Sequence, residues 1–209
     1  MPSGSMGVSV RLAAKRQPMP KQGAQERAHN FNEVALGYQA HQALAEAGRC
    51  LRCKVPKCIG GCPVGVEIPR FIGRIAEEDF EGAIRIIKEK NNLPAICGRV
   101  CPQEKQCEAG CILGKRAEPV AIGSLERFAA DVELAAGVKM ANGPEPTGIR
   151  IAVVGSGPSS LAAAGDLARL GHDVTIFEAL HIAGGVLTYG IPEFRLPKAI
   201  VNAEIDYVK

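Results

Sequence analysis

The sequence predicts the fold class multi-domain α + α/β, with an all-helical N-terminal domain followed by part of a Rossmann-like βαβ unit. Two observations predict this. All eight cysteines lie in two short runs, 50–62 and 97–111, and helical periodicity flanks both runs. Further along, a glycine-rich turn at 155–157 separates a β-type run from a helical one. A length of 209 residues suits one or two domains.

Composition excludes several classes of function. The net charge of +3 is too small to indicate a nucleic-acid or membrane-surface protein. Aromatic residues make up 4% of the chain and tryptophan is absent, which argues against stacking platforms for single strands. The longest apolar run, 151–170, contains Asp166 and Arg169 and does not predict a transmembrane helix. The first residues resemble a cloning remnant before Met6 and lack a signal-peptide core, so we expect a cytoplasmic protein.

The chain begins with a basic, polar segment that contains Pro18 and Pro20 and shows no periodicity. We interpret residues 1–29 as an extended arm, either a solvated tail or a segment that packs on a partner subunit. Helical periodicity begins near Asn32 and continues to Gly48, immediately before the first cysteine run.

Three further helices are predicted between the first cysteine run and residue 137. Pro69 suits the first turn of one helix, and Asp79 suits the N-cap of the next. The last helix begins near Ser124 and ends at Gly137, a natural C-cap. These helices predict a small helical domain that holds the cysteine runs between them.

The first cysteine run has the spacing C-x2-C-x4-C-x3-C-P, with members Cys50, Cys53, Cys58 and Cys62. Bacterial ferredoxins use C-x2-C-x2-C-x3-C-P, in which three thiolates bind one cluster and the last binds its neighbour. The second run begins with Cys97 and carries a shorter half of the pattern, formed by Cys101, Pro102, Cys107 and Cys111. The two runs together predict two [4Fe–4S] clusters.

Two other uses of the cysteines compete with this interpretation. A disulfide framework needs an oxidising compartment, and nothing in the sequence indicates export. Zinc also favours C-x2-C spacing, but its sites usually pair two such motifs, and the sequence has only Cys50–Cys53. Proline directly after Cys62 and Cys101 is typical of ferredoxins. We therefore favour iron–sulfur over zinc, and zinc over disulfides.

Residues 149–209 follow an α/β pattern. Residues 149–154 and 173–177 form β-type runs, and 161–170 are helical in period. The intervening turn, 155–160, is the Gly-x-Gly-x-x-Gly dinucleotide fingerprint with Ser160 at the third glycine position.

Each residue of this fingerprint has a physical reason. Gly155 provides the tight turn, and Gly157 lets the backbone approach a pyrophosphate at the helix N-terminus. Glu178, at the end of the second strand, is placed to bind a ribose 2′-hydroxyl. The fingerprint fits FAD and NAD equally. Because clusters carry single electrons and nicotinamide moves a hydride, a flavin is the natural exchanger, and we favour FAD.

Several stretches together resemble one family, namely both cysteine runs, 122–126, 155–158 and 184–197. It is the family of the glutamate synthase small (beta) subunit. Its relatives include the large subunit of NADH-dependent ferredoxin:NADP oxidoreductase (sulfide dehydrogenase) and the N-terminal part of dihydropyrimidine dehydrogenase. The resemblance covers roughly residues 30–209. It implies a helical domain with two [4Fe–4S] clusters, followed by an FAD domain that an NAD(P)H domain interrupts.

The resemblance also implies a ligand set that crosses between the two cysteine runs. The ligands of the first cluster are Cys50, Cys53, Cys58 and Cys111. The ligands of the second cluster are Cys62, Cys101, Cys107 and Glu126. Cys97 is the alternative to Glu126 as the last ligand, and Glu126 could instead be a first-turn acid that favours the helix dipole.

For FAD, the resemblance implies one further set of contacts. The predicted residues are Gly155, Ser156, Gly157, Pro158, Ser159, Ser160, Glu178, Gly185, Val186 and Arg195. Arg195 could also be an ordinary surface charge. No catalytic side chain is expected, because the cofactors carry the chemistry.

The sequence predicts four segments in all. They are the extended basic arm 1–29, the helical double-cluster domain 30–136, the linker 137–148 and the truncated FAD-binding domain 149–209. With two strands and no second glycine-rich fingerprint, we expect an N-terminal fragment that lacks the NAD(P)H domain and is inactive alone.

The predicted parent is an NAD(P)H-dependent flavin and iron–sulfur oxidoreductase, most like the glutamate synthase (NADPH) small subunit. We expect it to pass electrons to a redox partner subunit, the glutamate synthase large subunit or a flavin- or ferredoxin-linked one, in a hetero-oligomer. The ferredoxin:NADP oxidoreductase large subunit is the alternative enzyme. A non-redox, metal-bound docking module is the alternative of another class. No nucleic acid and no membrane insertion are expected.

Overall fold

The computed structural model describes residues 14–137 and 143–209. The α-helices in these ranges are α1 (Ala24–Arg27), α2 (Ala40–Ala47), α3 (Lys57–Gly61), α4 (Ile68–Ala76), α5 (Phe80–Lys88), α6 (Pro94–Val100), α7 (Ile122–Ala136), α8 (Pro158–Arg169), α9 (Val186–Tyr189) and α10 (Lys198–Val208). The strands are β1 (Arg150–Val154) and β2 (Asp173–Phe177), and 3₁₀ turns cover Gln103–Lys105 and Ile112–Lys115. The predicted α + α/β class is confirmed. Within the described ranges, no helix is long and apolar enough to cross a membrane.

The helical region is built around α4, α5 and α7, whose apolar faces meet in one core. Phe71, Ile84 and Leu125 are almost completely inaccessible to solvent. The rings of Phe80 and Phe128 pack edge to face, with centroids 5.0 Å apart. This core fixes the positions of the cysteine loops at its margin.

The predicted helix boundaries from residue 69 to 137 agree with the structure. The Asp79 side chain accepts a hydrogen bond of 2.8 Å from the Gly82 N–H and caps α5. Pro69 lies in the first turn of α4, and α7 ends at Gly137, which has φ +80°.

The N-terminal segment differs from the prediction in two ways. The helix expected from Asn32 begins at Ala40, because the chain before it pairs with the preceding segment, Lys21 bridging to Ala35. The described part of the arm is also not free in solvent. The Tyr38 hydroxyl donates to the Gln17 carbonyl at 2.6 Å, which fixes the arm on the helical region. Residues 1–13 lie outside the described ranges.

The segment 29–37, which we call the strap, is held by ion pairs to two buried arginines. Glu33 accepts from Arg99 at 2.8 Å and from Arg127 at 3.1 Å. Asp131 pairs with the same two arginines, at 2.8 and 3.1 Å. The Val34 N–H donates to the Phe194 carbonyl at 3.0 Å, so the strap connects the helical region to the dinucleotide region.

The α/β region is a single parallel βαβ unit. β1 and β2 pair in register, Arg150 opposite Asp173 and Val154 opposite Phe177, and α8 connects them. The predicted strands and helix agree with these bounds to within a few residues. Val154 is 86% exposed, so this face of the strand pair is not covered by the described residues.

Helix α6 was not predicted, since its short segment contains Cys97 and Gly98 within the second cysteine run. Its packing explains why it is stable despite its length. Leu93 and Ile96 form a second apolar core with residues of α8 and α10, such as Leu161. Helix α6 therefore lies at the junction between the helical and dinucleotide regions.

Candidate cluster and dinucleotide sites

The four thiols predicted to bind the first cluster lie together. Cys50, Cys53, Cys58 and Cys111 line one cavity of about 60 Å³. Apolar side chains such as Ile68, Ile72 and Val120 form the rest of its wall. Cys111 comes from the second cysteine run, so the two runs cross at this point. We call this cavity the first site.

The pKa values of these thiols reflect their grouping. Burial, and after it the neighbouring Cys50 and Cys111, together raise the pKa of Cys58 to about 11. Burial also raises the pKa of Cys50, with contributions from Cys111 and Cys53. The Cys50 and Cys58 thiols therefore hold their protons at neutral pH, and metal binding must displace those protons.

The crossing of the two runs depends on two glycines that the sequence analysis did not identify. A Cβ atom on Gly110 would lie 2.7 Å from the Lys57 carbonyl oxygen. A Cβ atom on Gly61 would lie 2.6 Å from the Gln106 carbonyl oxygen. Each glycine immediately precedes a predicted ligand, Cys111 or Cys62, and that adjacency is the sequence signal that could have identified it.

The second predicted ligand set also lies together, at the inner side of the helical region. Burial, and after it the charges of Glu108, Glu126 and Cys62, together raise the pKa of Cys107 to about 12. The charge of Cys101 likewise raises the pKa of Glu126. We call the group Cys62, Cys101, Cys107 and Glu126 the second site.

Glu126 is buried, with 9% of its surface exposed. The Asn91 side-chain amide donates to its Oε1 at 2.7 Å. Burial raises the pKa of Glu126 to about 8. Helix α7 begins at Ile122, so Glu126 lies beyond the first turn, and the alternative role as a first-turn acid is wrong.

Cys97, the alternative ligand, lies in α6 beside the same group. Its sulfur is 3.5 Å from Asn91 Oδ1. A hydrogen bond from the Cys97 thiol lowers the pKa of Cys101 and raises that of Cys97 itself. Both Cys97 and Glu126 are thus within reach of the second site.

The donor sets of both sites fit [4Fe–4S] clusters, which thiolates hold in cysteine-lined pockets. The first site supplies four thiols around one mostly apolar cavity. The second supplies three thiols and a buried carboxyl group. In residues 14–137 and 143–209, no three His, Cys, Asp or Glu side chains converge on a single ion position.

The dinucleotide fingerprint has the geometry that a pyrophosphate requires. Gly155 has φ +85°, a left-handed conformation that favours glycine, and it forms the turn after β1. No heavy atom lies within 4 Å of a Cβ built on Gly155 or Gly157, so the turn is open to a ligand. No side chain caps the N-terminus of α8, and its backbone N–H groups remain available to phosphate oxygens.

Glu178 lies at the end of β2, beside the fingerprint. The Ser156 N–H donates to Glu178 Oε2 at 2.9 Å, and the Ser156 hydroxyl donates to the same oxygen. The Leu180 N–H, the largest cause, and the two Ser156 donors lower the pKa of Glu178. An ionised acid therefore stands where a ribose hydroxyl would be bound.

The predicted contacts near residue 185 approach the same turn. A Cβ atom on Gly185 would lie 2.9 Å from the Gly157 Cα, so this segment lies directly on the fingerprint. The Gly184 N–H donates to the Ser156 hydroxyl at 3.0 Å. Val186 is 57% exposed, and Arg195 is also exposed. The structure thus brings Gly185 to the fingerprint but does not bring Arg195 into contact with it.

The second site adjoins the dinucleotide region, whereas the first does not. The Asn92 amide, next to Asn91, donates to the Ala162 carbonyl in α8 at 2.8 Å. The Ala95 N–H at the start of α6 donates to Glu204 of α10 at 3.3 Å. Sequence analysis missed Glu204, because nothing in a helical stretch marks one acid as buried.

Comparison with known proteins bears on both regions. Residues 27–138 match the family model described as dihydropyrimidine dehydrogenase domain II, 4Fe-4S cluster. Residues 153–200 match the model of the NAD(P)-binding Rossmann-like domain. The [4Fe–4S] and dinucleotide-binding predictions are thus confirmed at the level of the family.

The chain is also similar to curated proteins. It is 39% identical over 179 residues to the NAD-dependent dihydropyrimidine dehydrogenase subunit PreT of Escherichia coli K12, which covers 86% of this chain and 43% of that protein. It is 36% identical over 194 residues to the glutamate synthase (NADPH) small chain of Azospirillum brasilense, covering 92% and 40%. With the small chain of Mycobacterium tuberculosis CDC 1551, 36% identity extends over all 209 residues and 41% of that protein.

The chain therefore spans about two fifths of the length of the curated relatives it matches. The family model covers more than half of this chain, across both cysteine runs. The predicted resemblance is confirmed, and the chain belongs to the family of dihydropyrimidine dehydrogenase domain II with its 4Fe-4S cluster.

Proposed function

We propose that this chain is the electron-transfer part of an iron–sulfur flavoprotein oxidoreductase. Electrons would pass between NAD(P)H, FAD and two [4Fe–4S] clusters to a partner subunit. The observation that carries the proposal is the crossing of the cysteine runs, which assembles two donor sets, with the second beside a dinucleotide-binding unit. The proposal includes the four predicted segments, which are the arm 1–29, the double-cluster domain 30–136, the linker 137–148 and the FAD-binding segment 149–209.

The residues act by binding and positioning. Cys50, Cys53, Cys58 and Cys111 would hold one cluster. Cys62, Cys101, Cys107 and Glu126 would hold the other. When bound, the clusters supply single-electron transfer, and FAD supplies the exchange between single electrons and a hydride.

The dinucleotide residues would bind the adenosine and pyrophosphate half of FAD. Backbone N–H groups of Ser159 and Ser160 at the start of α8 face the pyrophosphate position, and Glu178 accepts from the ribose. Val186 and Arg195 would extend the site toward the remainder of the cofactor. The open turn at Gly155 and the contact of Gly185 with Gly157 support this assignment.

For the parent protein, we propose the role of a glutamate synthase (NADPH) small subunit, because similarity to one such small chain extends over all 209 residues. A subunit of an NAD-dependent dihydropyrimidine dehydrogenase is the second candidate, favoured by the 39% identity to PreT. Both relatives are named as one subunit or chain of a larger enzyme, which supports a partner subunit as the electron acceptor or donor.

Anaerobic purification followed by iron, sulfide and zinc analysis tests the proposal. We expect about eight irons and eight sulfides per chain and broad visible absorption near roughly 400 nm that dithionite bleaches. A colourless protein with about two zinc ions per chain would contradict electron transfer and favour a metal-bound docking module. Flavin retention is measured on the same sample, from the FAD released on denaturation.

A further inference from the structure

The first site opens onto an apolar surface. Leu51, Val55 and Ile112 are 45%, 81% and 47% exposed. All three also line the cavity that the four thiols of the first site share. Large apolar side chains that stay exposed together are typical of surfaces that another protein covers. At the second site, by contrast, Cys107 and Glu126 are buried.

Lysines surround the same opening. Lys54 and Lys57 lie between the cysteines of the first run, and both are exposed. Lys57 lines the cavity itself, and together with Lys115 it also lines an adjoining groove of about 430 Å³. We define the open face as Leu51, Val55 and Ile112 with Lys54, Lys57 and Lys115.

The charges of the open face are not neutralised by the chain. In the part of the chain that the structure describes, Lys54, Lys57 and Lys115 form no ion pair. The carboxyl group that lines the groove, Glu108, is buried and already pairs with Arg16 at 3.0 Å. No acidic residue occurs between Gly48 and Val66. The face is therefore apolar at its centre and positive around it.

We infer that the open face is the docking surface for an acidic protein or subunit that exchanges single electrons with the cluster at the first site. This inference rests on the proposed function. Apolar centres with charged margins are typical of protein interfaces, and charge complementarity steers the encounter of the two partners. One electron leaves the reduced first site and reduces a one-electron centre in the partner, with no bond made or broken.

A docking surface at the first site gives electron transfer a direction through the molecule. The dinucleotide unit contacts the second site through α6, and the first site lies farther along, beneath the open face. An electron that arrives from the flavin would thus reach the second site first and leave through the first site.

Stopped-flow electron transfer from the reduced holoprotein tests the inference. Cytochrome b5, an acidic one-electron acceptor, is the probe, and basic cytochrome c is the oppositely charged control. We expect the rate with cytochrome b5 to fall as salt is added, and to fall about tenfold in the K54E/K57E variant at low salt. The rate with cytochrome c should not fall. The matched control K90E changes an exposed lysine on another surface and should alter the rate by less than about twofold.

Iron content and the electron paramagnetic resonance spectrum are measured for each variant. If K54E/K57E loses iron, K115E takes its place, since Lys115 lies outside the cysteine loops. Full clusters with an unchanged, salt-independent rate to cytochrome b5 would overturn the inference and leave the proposed function intact. A wild-type protein without iron would overturn both.

Discussion

The first and second sites share a ligand chemistry but have opposite surroundings. The first site is a cavity lined by four thiols and apolar groups, with Val55 81% exposed at its opening. At the second site, Cys107 and Glu126 are buried, and the charge of Glu204 acts on Glu126 from α10. The proposed docking surface rests on this exposure of the first site, whereas the second site adjoins the dinucleotide region through Asn92 and Ala95.

The two sites also differ in how the sequence assembles them. Three ligands of the first site come from one local stretch, 50–58, whereas the second site draws on the first run, the segment after α6 and helix α7. A site gathered from several elements depends more on tertiary packing than a local loop does. Substitutions at each site can test this difference.

The largest effect is expected where the two runs touch. G61A and G110A each place a methyl group within 2.7 Å of a backbone carbonyl oxygen, which cannot move as a flexible side chain would. We expect a loss of roughly 2–4 kcal/mol of stability and of most of the iron in each variant. Anaerobic purification with iron analysis measures this. G60A is the matched control, since no heavy atom lies within 4 Å of its Cβ position. Normal iron content in G61A and G110A would show that the runs do not cross as described.

The next effect is the loss of one cluster at a time. C111S should remove about four irons, from the first site. C50S/C111S should lose no more, because both cysteines belong to that site, whereas C62S/C111S should lose nearly all the iron. Iron analysis of the three variants measures the assignment. Equal losses in the two double variants would contradict the crossed ligand set.

A smaller effect distinguishes Glu126 from Cys97. The negative carboxylate of a ligand disfavours an added electron, so E126Q should raise the reduction potential of the second cluster by about 60 mV, a tenfold change in the equilibrium constant. A redox titration followed by electron paramagnetic resonance measures it. C97S should leave the potential unchanged. The reverse pattern would assign the last ligand to Cys97.

The smallest effect concerns Glu204, the buried acid of α10 that accepts from the Ala95 N–H at the start of α6. Burial raises its pKa from 4.5 to about 7, so the folded state binds this proton more tightly than the unfolded state. The resulting stability is complete below about pH 4.5 and is lost as the pH rises through about 7. E204Q should therefore be more stable than the parent at pH 8, by up to about 3 kcal/mol, and equal to it at pH 4.5.

Anaerobic thermal unfolding at the two pH values measures this difference. The Gln side chain can still accept the Ala95 N–H, so the hydrogen bond is preserved. Glu145, an exposed acid, provides the control variant E145Q, which should show no pH-dependent change. A destabilised E204Q at pH 8 would show that Glu204 is ionised and stabilised by Lys88 or Arg99 in the folded chain.

Much of the architecture could be predicted from the sequence, because its signals are local. Asp79 caps α5 and Gly155 forms the dinucleotide turn through their own chemistry, in any fold that contains them. Helix α6 and the start of α2 could not be predicted in the same way. Helix α6 depends on packing between two regions, and the start of α2 depends on pairing of the strap with the arm.

The candidate sites divide in the same manner. Cysteine spacing identified the thiols, and the resemblance supplied their crossing and the position of Glu126. The burial of Glu204, the contact of Asn91 with Glu126 and the close approach at Gly110 depend on residues distant in sequence. No local pattern in the sequence marks such contacts.

The crossing of the two runs has a consequence for how the protein is made. Cys58 and Cys111 are 53 positions apart, so the ribosome needs about 3–10 s to synthesise the chain between them. During that interval the first three thiols of the first site are already outside, or leaving, the exit tunnel without their fourth. They are open to oxidation and to the wrong metal ions. Iron delivery to the first site therefore has to wait until the chain extends past Cys111.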